Sequence, residues 1–421
     1  MFRMLDAEAA DVFWLDAGAG ATDGWSFVGV GEPAELGEDV RLDVAPRDSA
    51  LPPFQGGWIG WRDYESGAAA AGAPVSDETE PLAPSWLWAT RVVAFDHASA
   101  RAWTLSADDD AESWADVVAT ASASPSIDAA DPADGGRRIA EARHEPAEYS
   151  TLIERCRELI RAGIAYQLCL TTRFTVPGAH DAVAVYERLR AATPAHHGGF
   201  VRIGGRALLS ASPEQFLHAG GGVIRSRPIK GTRPRSADAE ADAALAEELA
   251  VNVKERAENV MIVDLMRNDL SRVCVPGSIR VDGLWVVESY PAVHQLVSTV
   301  SGTAAEGTTV GALLEATFPA GSMTGAPKLS AMTQLHRLEG GPRGVYAGCF
   351  GYVGVDGAVD LAMVIRSIVI DEDAAVVGAG GGITWGSVAA AEVAEVATKA
   401  RAPLAALGAE MPGLWRSDIL N

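Results

Sequence analysis

The chain has 421 residues, 48% of them hydrophobic and 21% charged, a globular composition that excludes a disordered or fibrous protein. That length exceeds one ordinary compact domain, so two domains or one large duplicated architecture is expected. A formal charge of -22 repels phosphate backbones and anionic lipid, which argues against nucleic-acid and membrane-surface partners.

The opening MFRMLDAEAADVFWLDAG lacks a basic segment leading into an apolar run. No stretch of about 18 apolar residues follows, so a cytoplasmic location is expected. Residues 1–105 alternate short apolar runs with turn residues, as in WSFVGVG, GGWIGW and RVVAFD, which predicts a β-rich N-terminal region without a catalytic cluster. Residues 106–140 are rich in Ala, Asp and Ser and predict a helix followed by an exposed linker. Residues 141–405 form the candidate catalytic region, and 406–421 a C-terminal tail. Within the catalytic region, EYSTLIERCRELIRAG predicts a helix ending at Gly163, and AYQLCLTTRFTV predicts a strand. ALLSASPEQFLHA, VIRSRPI, SIRVDGLWVVES, YAGCFGYVGV and VDLAMVIRSIVI are further strand candidates, whereas ELAVNVKERAENVMIVDLMRNDL and AAAEVAEVATKARAPLAAL each predict a helix. Strands and helices mixed without strict alternation predict an α+β fold. Cys156, Cys169, Cys274 and Cys349 form no metal or redox pattern and are expected as reduced core residues.

Glu255 and Glu258 are spaced i, i+3 on one predicted helix and Glu392 and Glu395 on another, so each pair shares a helix face. Such carboxylates either form solvated surface charge or converge on a hard divalent cation, which takes oxygen ligands. GAGGG, residues 378–382, follows a strand and is expected as a Gly-rich turn, with or without an anion against its amides. PAGSMTGAPK, residues 319–328, precedes a helix beginning near Leu329 and is a candidate oxyanion-binding loop. Lys230 in RPIKGT is either a surface charge or an amine whose pocket makes it nucleophilic. His294 and Arg366 lie in apolar strand-like contexts, as satisfied core groups or as inward-pointing catalytic and carboxylate-binding groups.

Taken in order, PFQGGWIGW, AYQLCLTTRF, SPEQF, RPIKGTR, ERAENVMIVDLMRNDL, FPAGSMTGAPK, GVYAGCFGYVG, IRS and GAGGGITW followed by ExxE and Lys399 resemble the chorismate-utilising enzymes. That family includes anthranilate synthase large subunit, aminodeoxychorismate synthase component I, isochorismate synthase and salicylate synthase. The resemblance runs from about Phe54 to Arg401 and implies an α+β fold built on a large orthogonal β-sandwich flanked by helices. It implies a Mg²⁺ cofactor, with Glu258 and Glu395 as direct ligands and Glu255 and Glu392 behind them. Arg366, Tyr346 and the backbone of Gly380, Gly381 and Gly382 would bind the enolpyruvyl carboxylate of chorismate, with Gly231, Thr232, Ser322, Gln167 and Lys399 lining the same pocket.

Within the family, Gln167 stands where isochorismate and salicylate synthases carry the lysine that activates water, and an amide cannot serve as that base. Lys230 stands where anthranilate synthases usually have Ala, and so marks the aminodeoxychorismate synthase branch. The implied reaction is amination of chorismate at C4, with Lys230 as nucleophile, Glu214 of SPEQF as general acid and His294 in support. No Cys lies in a nucleophile-elbow setting, so a separate glutamine amidotransferase subunit is expected to supply ammonia. The chain departs from the family pattern at Asn259, where His is common, at Ile164 and at residues 386–388. Some relatives bind tryptophan in the region that FWLDAG matches.

Overall fold

The structure is a computed structural model that describes residues 1–42, 51–76, 85–123 and 138–416. The helix expected after residue 106 is present at Ala111–Ala123, and the expected linker falls at 124–137, outside the described residues. Strands Val12–Asp16, Trp25–Ala34, Gly57–Arg62, Trp86–Asp96 and Arg101–Ser106 fill the N-terminal region. They join the later strands: Val12–Asp16 pairs antiparallel with His197–Ile203, and Gly57–Arg62 with Cys349–Gly354. Almost all strands belong to one such network, which closes on itself. Among the described residues no helix is long and apolar enough to cross a membrane.

Helices cover this network where their apolar faces have a partner. Pro146–Arg161, opened by Pro146 at its first position, and Ala389–Ala406 pack on strands Gln167–Pro177 and Ala374–Ile383. Tyr149, Ile153, Phe174, Val396 and Trp415 are buried between them, and each large apolar side chain fully buried there is worth roughly 1.5–3 kcal/mol. Trp415 lies within the stretch expected as a tail, yet it is completely buried and its indole N–H donates to the His144 carbonyl at 3.0 Å. A second cluster, including Leu217, Ile262, Met266, Phe318 and Met332, seats helices Val253–Leu270 and Lys328–Glu339. All four cysteines are buried and free.

Three local expectations are corrected. The helix expected across ELAVNVKERAENV is two helices, Ala239–Val251 and Val253–Leu270, because Asn252 leaves helical geometry and its side chain accepts the Glu255 amide at 3.1 Å. VDLAMVIRSIVI is two strands, Val359–Met363 and Ser367–Ile370, interrupted where Arg366 adopts a left-handed φ of 53°. GAGGG is no turn: it lies inside the strand Ala374–Ile383, with Gly380, Gly381 and Gly382 opposite Thr171, Leu170 and Cys169.

Candidate functional site

The glycines of that strand are where the site begins, because removing their side chains lets three others lie flat on the backbone. A Cβ on Gly378 would fall 2.1 Å from the Tyr346 ring, and one on Gly382 would fall 2.3 Å from Gln167 Nε2. A Cβ on Gly381 would come to 3.2 Å from Glu392 Oε2. Tyr346, Gln167 and Glu392 are thereby gathered along one strand. The neighbouring strand Ser367–Ile370 reaches only Ala375 and Val376, so the other edge at Gly380–Gly382 has no strand beside it among the described residues. Lys399 Nζ donates to the Gly380 carbonyl at 2.9 Å and pairs with Glu395 Oε1 at 2.6 Å.

The two helical glutamate pairs are brought to the same place, and Lys254 links them. Its Nζ lies 3.8 Å from Glu258 Oε1 and 3.6 Å from Glu392 Oε1. Burial works to lower the Lys254 pKa, but Glu392, Glu258, Glu395 and Glu255 outweigh it and raise it. Burial raises the Glu258 carboxyl, a rise opposed by Lys230 and Lys254. Burial pushes Glu395 upward too, but Lys399, Lys254 and Lys230 together bring it below the usual range. Glu255 is held at 3.5 Å by Arg233. Sequence reasoning missed Lys254, since one lysine beside ERAE carries no spacing signal.

Lys230 and Glu214 form the second half of the site. Strand Ile229–Pro234 is bulged between Ile229 and Thr232, and Gly231 takes a φ of 80° within it. A side chain at Gly231 would meet Leu249 Cδ1 at 2.8 Å and Glu255 Cδ at 2.9 Å, so only glycine permits the bulge at this approach. The bulge leaves Thr232 exposed and aims Lys230 inward, where its charge acts on Glu214, Glu258 and Glu395. Lys230 makes no hydrogen bond or ion pair among the described residues. Glu214 is buried, which raises its pKa, while Lys230, the Ser322 side chain and the Ile229 backbone oppose the rise. Asn259, fully buried, donates to the Pro228 carbonyl at 3.3 Å and accepts from Ser298 at 2.5 Å, fixing the start of the Lys230 strand.

Arg366 and Tyr346 meet at the far end of the glycine strand. Burial lowers the Arg366 pKa, with Tyr346 and Glu395 acting against it, and burial raises the Tyr346 phenol. His294 does not join them as a free base. Its Nδ1 sits 2.8 Å from Ser289 Oγ and its Nε2 3.0 Å from Asp242 Oδ1, so both ring nitrogens are engaged. Lys328 of the PAGSMTGAPK loop is also occupied, donating to Asp269 at 2.7 Å and to the Thr317 carbonyl at 2.9 Å. Ser322 lies on the 3₁₀ turn Gly321–Met323, buried beside Glu214.

Among the described residues two buried polar atoms of this site have no hydrogen-bond partner, Glu258 Oε1 and Gln167 Oε1, and an ion, a ligand or a water would satisfy them. The all-oxygen donor set suits a hard divalent cation. Among the described residues no three acidic, His or Cys side chains are drawn closely enough to hold an ion as they stand. The ammonium groups of Lys254 and Lys399 pair with these carboxylates instead.

A family model described as chorismate binding enzyme matches residues 27–405. The chain belongs to this family. Its likeness to the solved anthranilate synthase component I of Streptococcus pneumoniae has a TM-score of 0.76 at 27% identity, over 97% of this chain and 91% of that one. The α+β fold of the chorismate-utilising enzymes is therefore the fold of this chain. It is 39% identical to an aminodeoxychorismate synthase of Streptomyces pristinaespiralis, over 99% of this chain and 64% of the relative. It is likewise 39% identical to anthranilate synthase component 1 of Streptomyces coelicolor, over 90% of this chain and 78% of the relative. The chain thus spans just under two thirds of the length of the first of these relatives. A separate cavity of about 420 Å³, lined by Leu15, Asp16, Trp25, His197, His218 and Tyr352 among others, holds none of the residues of this site.

Proposed function

We propose that the chain aminates chorismate at C4, giving 4-amino-4-deoxychorismate, with Mg²⁺ as cofactor and ammonia from a separate glutamine amidotransferase subunit. The observation that carries this reading is Lys230. A glycine-dependent bulge presents its amine, without a hydrogen-bond partner among the described residues, between Glu214 and Glu258. Relatives bearing the name aminodeoxychorismate synthase support the same branch.

In this reading the Lys230 amine attacks C2 of the ring, both conjugated double bonds shift (C1=C2 to C1=C6 and C5=C6 to C4=C5), and the C4–O bond breaks. Glu214, whose pKa burial raises, acts as the general acid and gives its proton to the departing hydroxyl, which leaves as water. Ammonia then attacks C4, both double bonds return to C5=C6 and C1=C2, and the Lys230 amine is expelled from C2. Glu214, now ionised, takes the proton that the new amine must lose. Arg366 offers a fork of donors to the enolpyruvyl carboxylate, beside the Tyr346 hydroxyl. Glu258 and Glu395 would hold Mg²⁺, with Glu255 and Glu392 orienting them. Bound there, the ion would supply positive charge for the ring carboxylate of the substrate. His294 orients Asp242 and Ser289 beneath the Lys230 strand and is not needed as a base.

Anthranilate synthase is the second reading, favoured by a relative of that name matched over more of its own length. Product analysis separates the two. Chorismate, MgCl₂ and an ammonium salt should yield 4-amino-4-deoxychorismate with no pyruvate, and Lys230→Ala should lose most of that product. Release of anthranilate and pyruvate by the unmodified chain would overturn the proposal.

A further inference from the structure

The most completely satisfied charged cluster near the site lies beneath it. The Arg343 side chain is 1% exposed and that of Glu339 3%. Arg343 Nε donates to Glu339 Oε2 at 2.8 Å and Nη2 to Glu339 Oε1 at 2.7 Å, a two-pronged pair. Two further N–H groups reach backbone carbonyls, Nη1 that of Met323 at 2.6 Å and Nη2 that of Cys169 at 2.9 Å. The guanidinium carbon lies 4.2 Å from the Tyr64 ring centre, and the Arg343 and Gly344 amides donate to the two oxygens of Glu65 at 2.7 and 2.8 Å. Glu339 Oε1 also accepts the Thr171 amide at 2.8 Å.

Stability alone is a weak reason for such a cluster, because a buried ion pair replaced by apolar groups of similar size often leaves a protein as stable or more so. The two carbonyls suggest another role. Met323 follows Ser322 on the 3₁₀ turn, and Cys169 lies two residues beyond Gln167 and opposite Gly382. Cys169 also donates its own amide to the Thr324 carbonyl at 2.9 Å, so turn and strand are joined at this point. The guanidinium is a rigid bolt through both, and its planar fork sets the distance between them.

We propose that Arg343 is a positioning residue for the reaction: through the Met323 and Cys169 carbonyls it places the Ser322 hydroxyl against Glu214 and the Gln167 amide against Gly382. It touches no substrate. The inference rests on the site of the proposed function and holds for whichever chorismate product that site makes.

Arg343→Lys is the first test, since a lysine keeps the charge opposite Glu339 but cannot hold two carbonyls and a carboxylate in a plane. Arg343→Met is the second. Turnover of chorismate with MgCl₂ and ammonium salt is followed together with the product, in the wild type, both variants, Ser322→Ala and each double variant. Circular dichroism and the thermal midpoint report folding. The expected result for Arg343→Lys is a folded protein whose kcat falls about 10- to 100-fold, the loss typical of sub-ångström to ångström misplacement of reacting groups. Its KM for chorismate should stay within about threefold, because Arg366 and Tyr346 are untouched. The losses from Arg343→Lys and Ser322→Ala should be strongly non-additive. A folded Arg343→Lys with wild-type kcat would overturn the proposal, as would losses that simply multiply with those of Ser322→Ala. If Arg343→Met does not fold, the lysine variant and its cycle with Ser322→Ala decide alone. Anthranilate as the wild-type product would sink the proposed function but leave this comparison intact.

Discussion

If the glutamates hold Mg²⁺ as proposed, replacing Lys254 by Met should weaken the metal-free protein and strengthen Mg²⁺ binding. Lys254 Nζ stands 3.6 Å from Glu392 and 3.8 Å from Glu258. Two unit charges about 4 Å apart attract by about 4 kcal/mol at an effective dielectric near 20. The Lys254 side chain is 54% exposed, however, and pairs open to solvent measure only about 0.2–1 kcal/mol each. The two contacts together are therefore worth about 0.4–2 kcal/mol, and Lys254→Met loses that much from the metal-free state because Glu258 and Glu392 are left without their shared cation. A divalent ion entering the variant no longer has the Lys254 ammonium to displace, so the same 0.4–2 kcal/mol returns as about 2- to 30-fold tighter binding. Calorimetric titration with MgCl₂, in the absence and presence of chorismate and without ammonia, measures the affinity; thermal midpoints with and without metal measure the stability. Unchanged or weaker Mg²⁺ binding by a folded Lys254→Met would refute the reasoning, because it would mean that the cation is held elsewhere.

Arg366→Met should raise the KM for chorismate about 10- to 100-fold, the loss of charge-assisted hydrogen bonds worth about 1.5–3 kcal/mol, with a smaller change in kcat by steady-state kinetics. Because Arg366 holds a φ of 53°, Arg366→Gly should melt above Arg366→Ala, as a left-handed residue with a side chain costs about 1–2 kcal/mol. For Glu214, whose pKa burial raises, kcat should fall as pH rises through that raised value, and Glu214→Gln should remove this limb with about 10²- to 10⁴-fold lower kcat. The linked stability has the same sign. Protonation in the fold stabilises fully below the ordinary carboxylate range and is lost as pH rises through the raised pKa, so Glu214→Gln should resist denaturant better than the wild type at pH 8. Gly231→Ala forces a Cβ to within 2.8 Å of Leu249 at a φ of 80°. It should lower the urea midpoint by the equivalent of about 1–3 kcal/mol and lose turnover with it.

How much of this was legible in the sequence depends on how far apart the interacting residues lie. The i, i+3 spacing of Glu255 with Glu258 and of Glu392 with Glu395 is local, and both pairs sit on helices as expected. The break at Asn252 also had a local signal, an Asn followed three residues later by Glu255, which is how a helix start is written; the apolar continuity of ELAV and MIVDL masked it. GAGGG misled for the opposite reason. Its glycines are demanded by Tyr346, Gln167 and Glu392 pressing on a strand, and none of those contacts has a trace within the run itself. The left-handed Arg366 is a single residue between two apolar stretches that look like one strand. Arg343 and Glu339 are only four residues apart, but Glu65 and the Cys169 carbonyl come from distant segments, and only the folded chain shows that they meet.

The overall charge of -22 says little about how this site treats an anion, because the local arithmetic is different. Each carboxylate at its centre has a cation beside it: Glu258 and Glu392 share Lys254, Glu395 has Lys399, and Glu255 has Arg233. Among the described residues Lys230 and Arg366 stand without such an ion pair, Lys230 acting on Glu258 and Glu395 and Arg366 acted on by Glu395. A pocket balanced in this way gains little by taking a dianion alone, which would crowd Glu258 and Glu395, or a divalent ion alone, which would crowd Lys254 and Lys399. On the proposed reading the two enter as a neutral pair, the ion satisfying Glu258 Oε1 and the substrate carboxylates meeting Arg366 and the metal. Each then raises the affinity for the other by the same factor. An acidic protein can thus hold an acidic substrate without a basic surface, and the lysines that guard the carboxylates in the meantime set how tightly the pair must bind to displace them.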